Sequence, residues 1–229
     1  MAPSATPPLL VLDLDGTLVD TGPDLIAALN VILDADGFKT VEMNQIGSLV
    51  GRGARVMILR ALEQQNYEPS ETHVDRLVEA FVDHYAKNIA DHSRLFPGAD
   101  QVLDDLLASG WMLAVCTNKK EHLAVLLLEA LGLLSKMCAV CGGDTFAVSK
   151  PDPRHLTGTI MRAGADLERT IMVGDTETDI LTAQAADVPV IAVDFGYSDD
   201  PVDVFRPTAV ASSFNDVKSI AFDLSRAFK

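Results

Sequence analysis

This chain has no apolar run approaching the roughly 20 residues that cross a bilayer, so a membrane-spanning helix is not expected. It is poor in cations: 18 Lys and Arg stand against 33 Asp and Glu, a formal charge of −15. That balance excludes a general affinity for nucleic acid or anionic membrane, since both are bound through neutralised phosphates. Aromatics make up 6% of the residues. The first residues, Met1-Ala2-Pro3-Ser4-Ala5-Thr6-Pro7-Pro8, have neither the basic stretch nor the apolar stretch of a secretory signal, and read as a short disordered lead-in. The expectation is a soluble cytoplasmic protein. Cysteine is scarce, at three residues: Cys116, Cys138 and Cys141. The Cys138/Cys141 pair has C-x-x-C spacing, but no further ligands accompany it. Its apolar setting favours small buried side chains near a strand over a zinc or redox site. The five histidines, at 73, 84, 92, 122 and 155, show no ligand spacing.

What is present is an alternation. Apolar runs of strand length fall at 9–14, 112–117, 137–141, 170–173 and 189–193, with a weaker one at 209–211. Helical patterns lie between them. One is built on Val102, Leu103, Leu106 and Leu107 and ends at Gly110; another on Leu123, Leu126, Leu127 and Ala130 ends at Gly132. A third runs from Pro153 to Gly164, and a fourth from about Thr178 to Ala186. Short apolar strands joined by helices predict a parallel sheet covered on both faces, with ligands beyond the carboxyl ends of its strands. Between residues 21 and 90 the strands stop. Pro23 suits a helix start, and Leu25, Ile26, Leu29, Ile32 and Leu33 make a face closed by Gly37. Val56, Leu59 and Leu62 predict a second helix, and Val74, Leu77, Val78, Phe81, Val82 and Tyr85 a third. This helical insertion follows the first strand and is expected above its end, where a lid belongs.

The end of that strand carries the most chemistry: Asp13-Leu14-Asp15-Gly16. Two carboxylates at i and i+2 repel, and burial penalises both ionised forms, unless a divalent cation neutralises them. Polar clusters recur at later strands. Thr117 and Asn118 follow the second, in Val-Cys-Thr-Asn-Lys. Lys150 stands ahead of the fourth, in Ser-Lys-Pro-Asp-Pro. Asp175 and Asp179 follow the fourth, in Val-Gly-Asp-Thr-Glu-Thr-Asp. On a parallel sheet they converge on one edge. Carboxylates suit Mg²⁺, and a lysine with short hydrogen-bond donors suits the oxygens of a phosphoryl group. Simpler readings exist: an Asx turn for Asp13 and Asp15, helix capping for Thr117, Asp175 and Asp179, a solvated loop charge for Lys150. Asp20, before Thr21-Gly22-Pro23, reads as a cap of the first inserted helix.

Asp-Leu-Asp-Gly-Thr, Thr117-Asn118, Lys150-Pro151 and Gly174-Asp175-x-x-x-Asp179 together resemble the four ordered motifs of the haloacid dehalogenase superfamily, over residues 9 to 215. The resemblance implies a Rossmann-like α/β core at 1–20 and 91–229, with an α-helical cap at 21–90. Within the superfamily, three stretches are similar to the phosphoglycolate phosphatases: Asp91-His92-Ser93-Arg94-Leu95-Phe96-Pro97-Gly98, Gly142-Gly143-Asp144-Thr145 and Val193-Asp194-Phe195-Gly196-Tyr197.

By that resemblance the chain is a Mg²⁺-dependent phosphomonoester hydrolase. Asp13 is the nucleophile that forms an aspartyl-phosphate, and Asp15 is the acid and base. Thr117, Asn118 and Lys150 hold the phosphoryl group. Asp13, the Asp15 carbonyl, Asp175 and Asp179 hold the metal, Asp179 directly or through water. The partner is a small phosphorylated metabolite, 2-phosphoglycolate in the first instance, and the protein is a monomer or homodimer. Rival readings are a phosphatase of pyrophosphate or a sugar phosphate, a β-phosphoglucomutase-like transferase, and a non-catalytic regulator that binds phosphate or a partner. A phosphonatase is disfavoured, because the inserted lysines Lys39 and Lys87 have no activating setting. Arg52, in the glycine-flanked basic loop Gly51-Arg52-Gly53-Ala54-Arg55, is the expected contact for a substrate carboxylate.

Overall fold

The computed structural model describes residues 6–228. Six strands form one parallel sheet in the order β5-β4-β1-β6-β7-β8. They are β1 (Leu9–Leu12), β4 (Met112–Cys116), β5 (Ala139–Cys141), β6 (Thr170–Gly174), β7 (Val190–Val193) and β8 (Ala209–Ala211). A separate antiparallel pair, β2 (Val19–Asp20) and β3 (Arg94–Leu95), stands where the helical insertion leaves and rejoins the sheet. The insertion holds α1 (Gly22–Ala35), α2 (Ile46–Leu49), α3 (Ala54–Glu63) and α4 (Glu71–Lys87). The rest of the chain adds α5 (Ala99–Ala108), α6 (Glu121–Ala130), α7 (Pro153–Ala163), α8 (Glu177–Ala185) and α9 (Phe214–Ser225). No described helix is long and apolar enough to cross a membrane.

Strand β1 shows why the sheet is covered on both faces. Its side chains alternate, and all four residues are fully buried. Leu10 and Leu12 join the cluster made with α5, α6 and α9, through Val102, Leu103, Leu127, Phe214 and Val217. Leu9 and Val11 join the opposite cluster with α7 and α8, through Leu156, Ile160, Ile180 and Ala183. The central strand therefore has no freedom to slide: a shift of one residue exchanges both faces at once. Its carboxyl end is fixed between those of β4 and β6.

The insertion has its own core of Leu25, Leu29, Leu33, Ile58, Leu62, Leu77 and Phe81, which also takes in Leu123 from α6 and Tyr197 from the loop after β7. The helix starts and stops follow the sequence at Pro23, Gly37, Pro153 and Gly164. Four local expectations are corrected. Strand β1 ends at Leu12 rather than residue 14, because the chain turns at the carboxylates. Helix α3 presents Met57, Ile58, Ala61 and Leu62 to the core, rotated from the expected face, and Leu59 is exposed. Asp20 does not cap α1; Thr21 holds the cap position, and Asp20 instead accepts a 2.6 Å hydrogen bond from the Tyr197 hydroxyl. Cys141 is buried in β5, but Cys138 is exposed at the strand's edge.

One buried carboxylate ties the two crossings of the insertion together. Asp24, on α1, accepts hydrogen bonds from the His92 and Ser93 amides and from the Ser93 hydroxyl, at 2.7–3.0 Å. Asp24→Ala leaves the Ser93 amide and hydroxyl buried without an acceptor. It is expected to destabilise the protein by about 2–4 kcal/mol, read as a lower urea midpoint.

Candidate active site

The carboxyl ends of β1, β4 and β6 deliver Asp13, Thr117 and Asp175 to one edge of the sheet, and Lys150 reaches it from the loop before α7. Asp13 is held at the end of β1 by its amide, which donates to Val173 O at 2.9 Å. Its side chain is buried. Lys150 Nζ lies 3.0 Å from Asp13 Oδ1 and 2.5 Å from Asp179 Oδ1, and its own side chain is 1% exposed. Asp13, Asp175 and Asp179 form the one group of three metal-competent side chains among the described residues, with one oxygen of each within 4.8 Å of the others.

The three carboxylates differ in how fully the protein satisfies them. Asp175 accepts from the Thr17 hydroxyl at 2.7 Å on Oδ1 and from the Tyr197 amide at 2.8 Å on Oδ2. Asp179 is taken on both oxygens: Oδ1 by Lys150, Oδ2 by the Thr176 amide and hydroxyl in a reciprocal cap of α8. Asp13 Oδ1 is buried and accepts no aligned hydrogen bond. Burial pushes the Asp13 carboxyl up to about 6 against the opposing pull of Lys150, with Asp179 and Asp15 adding to the rise. Burial, then Asp179 and Asp13, raise Asp175 well above the usual carboxylate range. Burial also works against the charge of Lys150, but Asp13 and Asp179 outweigh it and hold the ammonium above the ordinary lysine range. Three buried carboxylates around one ammonium leave excess negative charge, and Asp13 Oδ1 has only the unaligned Lys150 ammonium beside it. That donor set fits a hard divalent cation with oxygen ligands.

Asp15 stands apart from this cluster. Its carboxylate accepts from Lys119 Nζ at 2.8 and 3.0 Å and from the Thr21 hydroxyl at 2.7 Å. Two carboxylates close together in sequence are thus separated by partner: Asp13 faces Lys150, Asp15 faces Lys119. Gly16, at φ +85°, allows the turn between β1 and β2, and a Cβ there would lie 2.3 Å from Asp175 Oδ2. Thr117 is buried beside the cluster and caps no helix, since α6 begins at Glu121 behind Lys120. The Asn118 amide donates to Lys150 O at 3.1 Å and to Gly51 O at 3.3 Å, joining the sheet edge to the basic loop of the insertion.

A cavity of about 450 Å³ opens above these residues. Its floor includes Asp13, Asp15, Thr117, Asn118 and Lys119; α3 and α4 roof it with Met57, Val78, Phe81, Val82 and Tyr85. Arg52 lines it too, but its guanidinium is half exposed and pairs with Glu177 at 3.3 Å. The structure therefore brings Asp13, Lys150, Asp175 and Asp179 into direct contact range, sets Thr117, Asn118 and Asp15 beside them, and leaves Arg52 at the rim. Lys119 is the site residue that local sequence did not single out. It stands inside the Thr-Asn-Lys stretch, and no local pattern marks its side chain as turning inward to Asp15.

An open parallel α/β sheet with a buried lysine and three carboxylates at the carboxyl ends of its central strands has the donor set to hold a divalent cation and an anionic ligand. Comparison with known proteins narrows the class. Residues 10–193 match the model of the haloacid dehalogenase-like hydrolases. A phosphoglycolate phosphatase of Mesorhizobium japonicum is 49% identical over 208 residues, covering 91% of this chain and 92% of the relative. One from Agrobacterium fabrum is 48% identical and covers 94% and 93%. A crystal structure described as a predicted phosphoglycolate phosphatase, from Haemophilus somnus, superposes with a TM-score of 0.87 at 29% identity, over 95% of this chain and 99% of that one. The chain belongs to the haloacid dehalogenase-like hydrolase family, and within that family it is a phosphatase.

Proposed function

We propose that this phosphatase hydrolyses 2-phosphoglycolate to glycolate and phosphate, in two displacements at phosphorus. The observation that carries the mechanism is the separation of the two aspartates by their cations. Asp13, beneath the cavity and held by Lys150, attacks phosphorus in line. A bond forms between its carboxylate oxygen and phosphorus while the bond to the glycolate oxygen breaks. Asp15, beside it and free of the acidic cluster, gives a proton to the departing alkoxide. Asp15 then takes a proton from water, the water oxygen attacks phosphorus, and the acyl-phosphate bond breaks to restore the Asp13 carboxylate. Thr117 and Asn118 orient the phosphoryl oxygens, and Lys150 offsets the charge shared between nucleophile and phosphate. The helices at 21–90 act as the cap that excludes water during the first displacement. The substrate reading is supported by the phosphoglycolate phosphatases similar to this chain along nearly its whole length.

The cofactor proposed is Mg²⁺, held by Asp13, the Asp15 carbonyl and Asp175. Asp179, satisfied on both oxygens by Lys150 and Thr176, would support the metal-holding residues, directly or through water. When bound, the ion offsets the negative charge of the phosphoryl group and the carboxylates around it. Independently of turnover, Mg²⁺ at about ten times its Kd is expected to stabilise the protein by about 1.4 kcal/mol. For a chain of this size that raises the melting temperature by about 3–6 °C. Asp175→Asn is expected to remove the shift, and a shift that survives it sinks the assignment. The substrate reading itself is tested by ranking about thirty phosphorylated metabolites by kcat/KM: 2-phosphoglycolate is expected first, and a pyrophosphate or sugar-phosphate optimum overturns it.

A further inference from the structure

Arg52 was the expected partner of a substrate carboxylate, but the cations around the cavity, Lys119 included, are nearly all paired, and it is their placement that separates them. Arg52 pairs with Glu177, and Arg55 pairs with Glu71 and Asp75. Lys120 is exposed. Lys150 lies beneath the floor between Asp13 and Asp179. Lys119 is different. Its side chain is 4% exposed, it lines the cavity, and its ammonium sits 2.8 and 3.0 Å from the two oxygens of Asp15.

We propose that Lys119, with the Tyr85 hydroxyl, is the specificity-determining contact for a carboxylate carried on the carbon next to the leaving oxygen. This rests on the reading of the protein as a phosphatase of 2-phosphoglycolate with Asp15 as its acid. The argument is one of reach. An acid must come within hydrogen-bond distance of the oxygen it protonates. Lys119 Nζ is one hydrogen bond beyond Asp15, so it stands within two such lengths of the leaving oxygen. In 2-phosphoglycolate that oxygen is separated from the carboxyl carbon by a single methylene. The carboxylate is therefore within reach of the ammonium when Asp15 is in contact with the leaving oxygen.

The donor count agrees. An ammonium has three protons, and Asp15 takes two of the directions from Lys119, leaving one for a ligand. Tyr85 supplies a second, independent observation. Its ring lies under the ammonium, 4.5 Å from centroid to Nζ, and its hydroxyl is buried in the cavity wall without a hydrogen-bond partner. A buried hydroxyl without a partner is unfavourable unless something completes it, and a carboxylate seated on Lys119 does so. A charge-assisted contact in a water-poor site discriminates against a ligand that lacks the carboxylate, because the third ammonium proton and the buried Tyr85 hydroxyl are then left unfilled.

The test compares 2-phosphoglycolate with ethyl phosphate, which replaces the carboxylate by a methyl group, on the full chain with Mg²⁺. The wild type is expected to prefer 2-phosphoglycolate. Lys119→Met also strips Asp15 of its cation, so it is expected to lower kcat/KM for both substrates, by about 20-fold more for 2-phosphoglycolate than for ethyl phosphate. Tyr85→Phe keeps the ring and the fold, and is expected to lower only the 2-phosphoglycolate value, by about fivefold. Arg52→Ala is expected to leave the preference within twofold. Equal losses on both substrates in Lys119→Met would mean that Lys119 only supports Asp15, and would overturn the proposal. So would a preference unchanged in both Lys119→Met and Tyr85→Phe. If Lys119→Met does not fold, Tyr85→Phe decides alone. A wild type without any preference for 2-phosphoglycolate overturns the substrate reading itself, a result separate from either of these.

Discussion

Asp13→Asn is expected to abolish turnover, lowering kcat by on the order of 10⁴-fold or more, while leaving the fold intact or firmer. The two halves of that expectation have one cause. The carboxylate is buried, one of its oxygens accepts no hydrogen bond, and its carboxyl is pushed up to about 6 chiefly by burial. It is therefore an unfavourable place for a charge, and the proposed attack on phosphorus accounts for its presence there. An amide of the same shape carries no such charge and is a far poorer nucleophile. It also removes one of three like charges from the acidic cluster, so without Mg²⁺ the variant should melt no lower than the wild type. The check is paired: steady-state hydrolysis of 2-phosphoglycolate and of p-nitrophenyl phosphate, beside thermal denaturation in a chelator. Hydroxylamine should trap an acyl-phosphate on the wild type and none on the variant. Turnover within about a hundredfold of wild type in a homogeneous preparation would remove Asp13 from the nucleophilic role.

Lys150→Met is expected to be the most destabilising substitution in the site. The ammonium lies between Asp13 and Asp179 at 3.0 and 2.5 Å, with almost no exposure. Removing one partner of a buried pair strands the charge on the other, typically at a cost of about 3–5 kcal/mol. Here two carboxylates lose the same cation. A fall in melting temperature of about 6–20 °C is expected for a chain of this length, together with a loss in kcat of about 10²–10³-fold. A second substitution tells charge from shape. In Lys150→Met/Asp179→Asn one stranded carboxylate is gone, so stability should recover by more than Asp179→Asn contributes alone, a coupling read from a double-mutant cycle. Additive losses would show that Lys150 holds the site by its aliphatic stem rather than by its charge. Mg²⁺ should restore part of the stability of the single variant, since it offsets the same excess charge.

The sequence made the sheet legible because each of its strands is a short apolar run bounded by turn residues, and β1, β4 and β6 carry their polar residues immediately after the run. Asp13, Thr117 and Asp175 belong to that local grammar, and Lys150 and Asp179 are fixed a few residues from helix starts at Pro153 and Glu177. Side-chain partnerships at long range were not legible. Asp20 looks like a helix cap until Tyr197, 177 residues away, is seen to donate to it. Lys119 and Asp15 meet across 104 residues. Arg52 looks free in sequence because nothing nearby is acidic, yet Glu177 reaches it from α8. The rotation of α3 has a related cause. Val56, Leu59 and Leu62 fit one apolar stripe, but the stripe that buries is chosen by α4, against which α3 lies, and it selects Ile58 and Ala61 instead.

The antiparallel pair β2 and β3 has an evolutionary reading. Its two strands bring the start and the finish of a helical segment of about seventy residues side by side, with Asp24 and Tyr197 stitching the joint. A segment whose ends already touch can be exchanged between genes without disturbing the register of any sheet strand. Few side chains outside it would have to change in concert: Leu123 and Tyr197, which share its core, Lys119, which lies over the Tyr85 ring, and Glu177, which pairs with Arg52. Recombination at the joint would thus deliver new leaving-group preferences to an unchanged phosphoryl-transfer floor. Lineages that traded this segment should carry correlated substitutions at those four positions while Asp13, Asn118, Lys150 and Asp175 stay fixed.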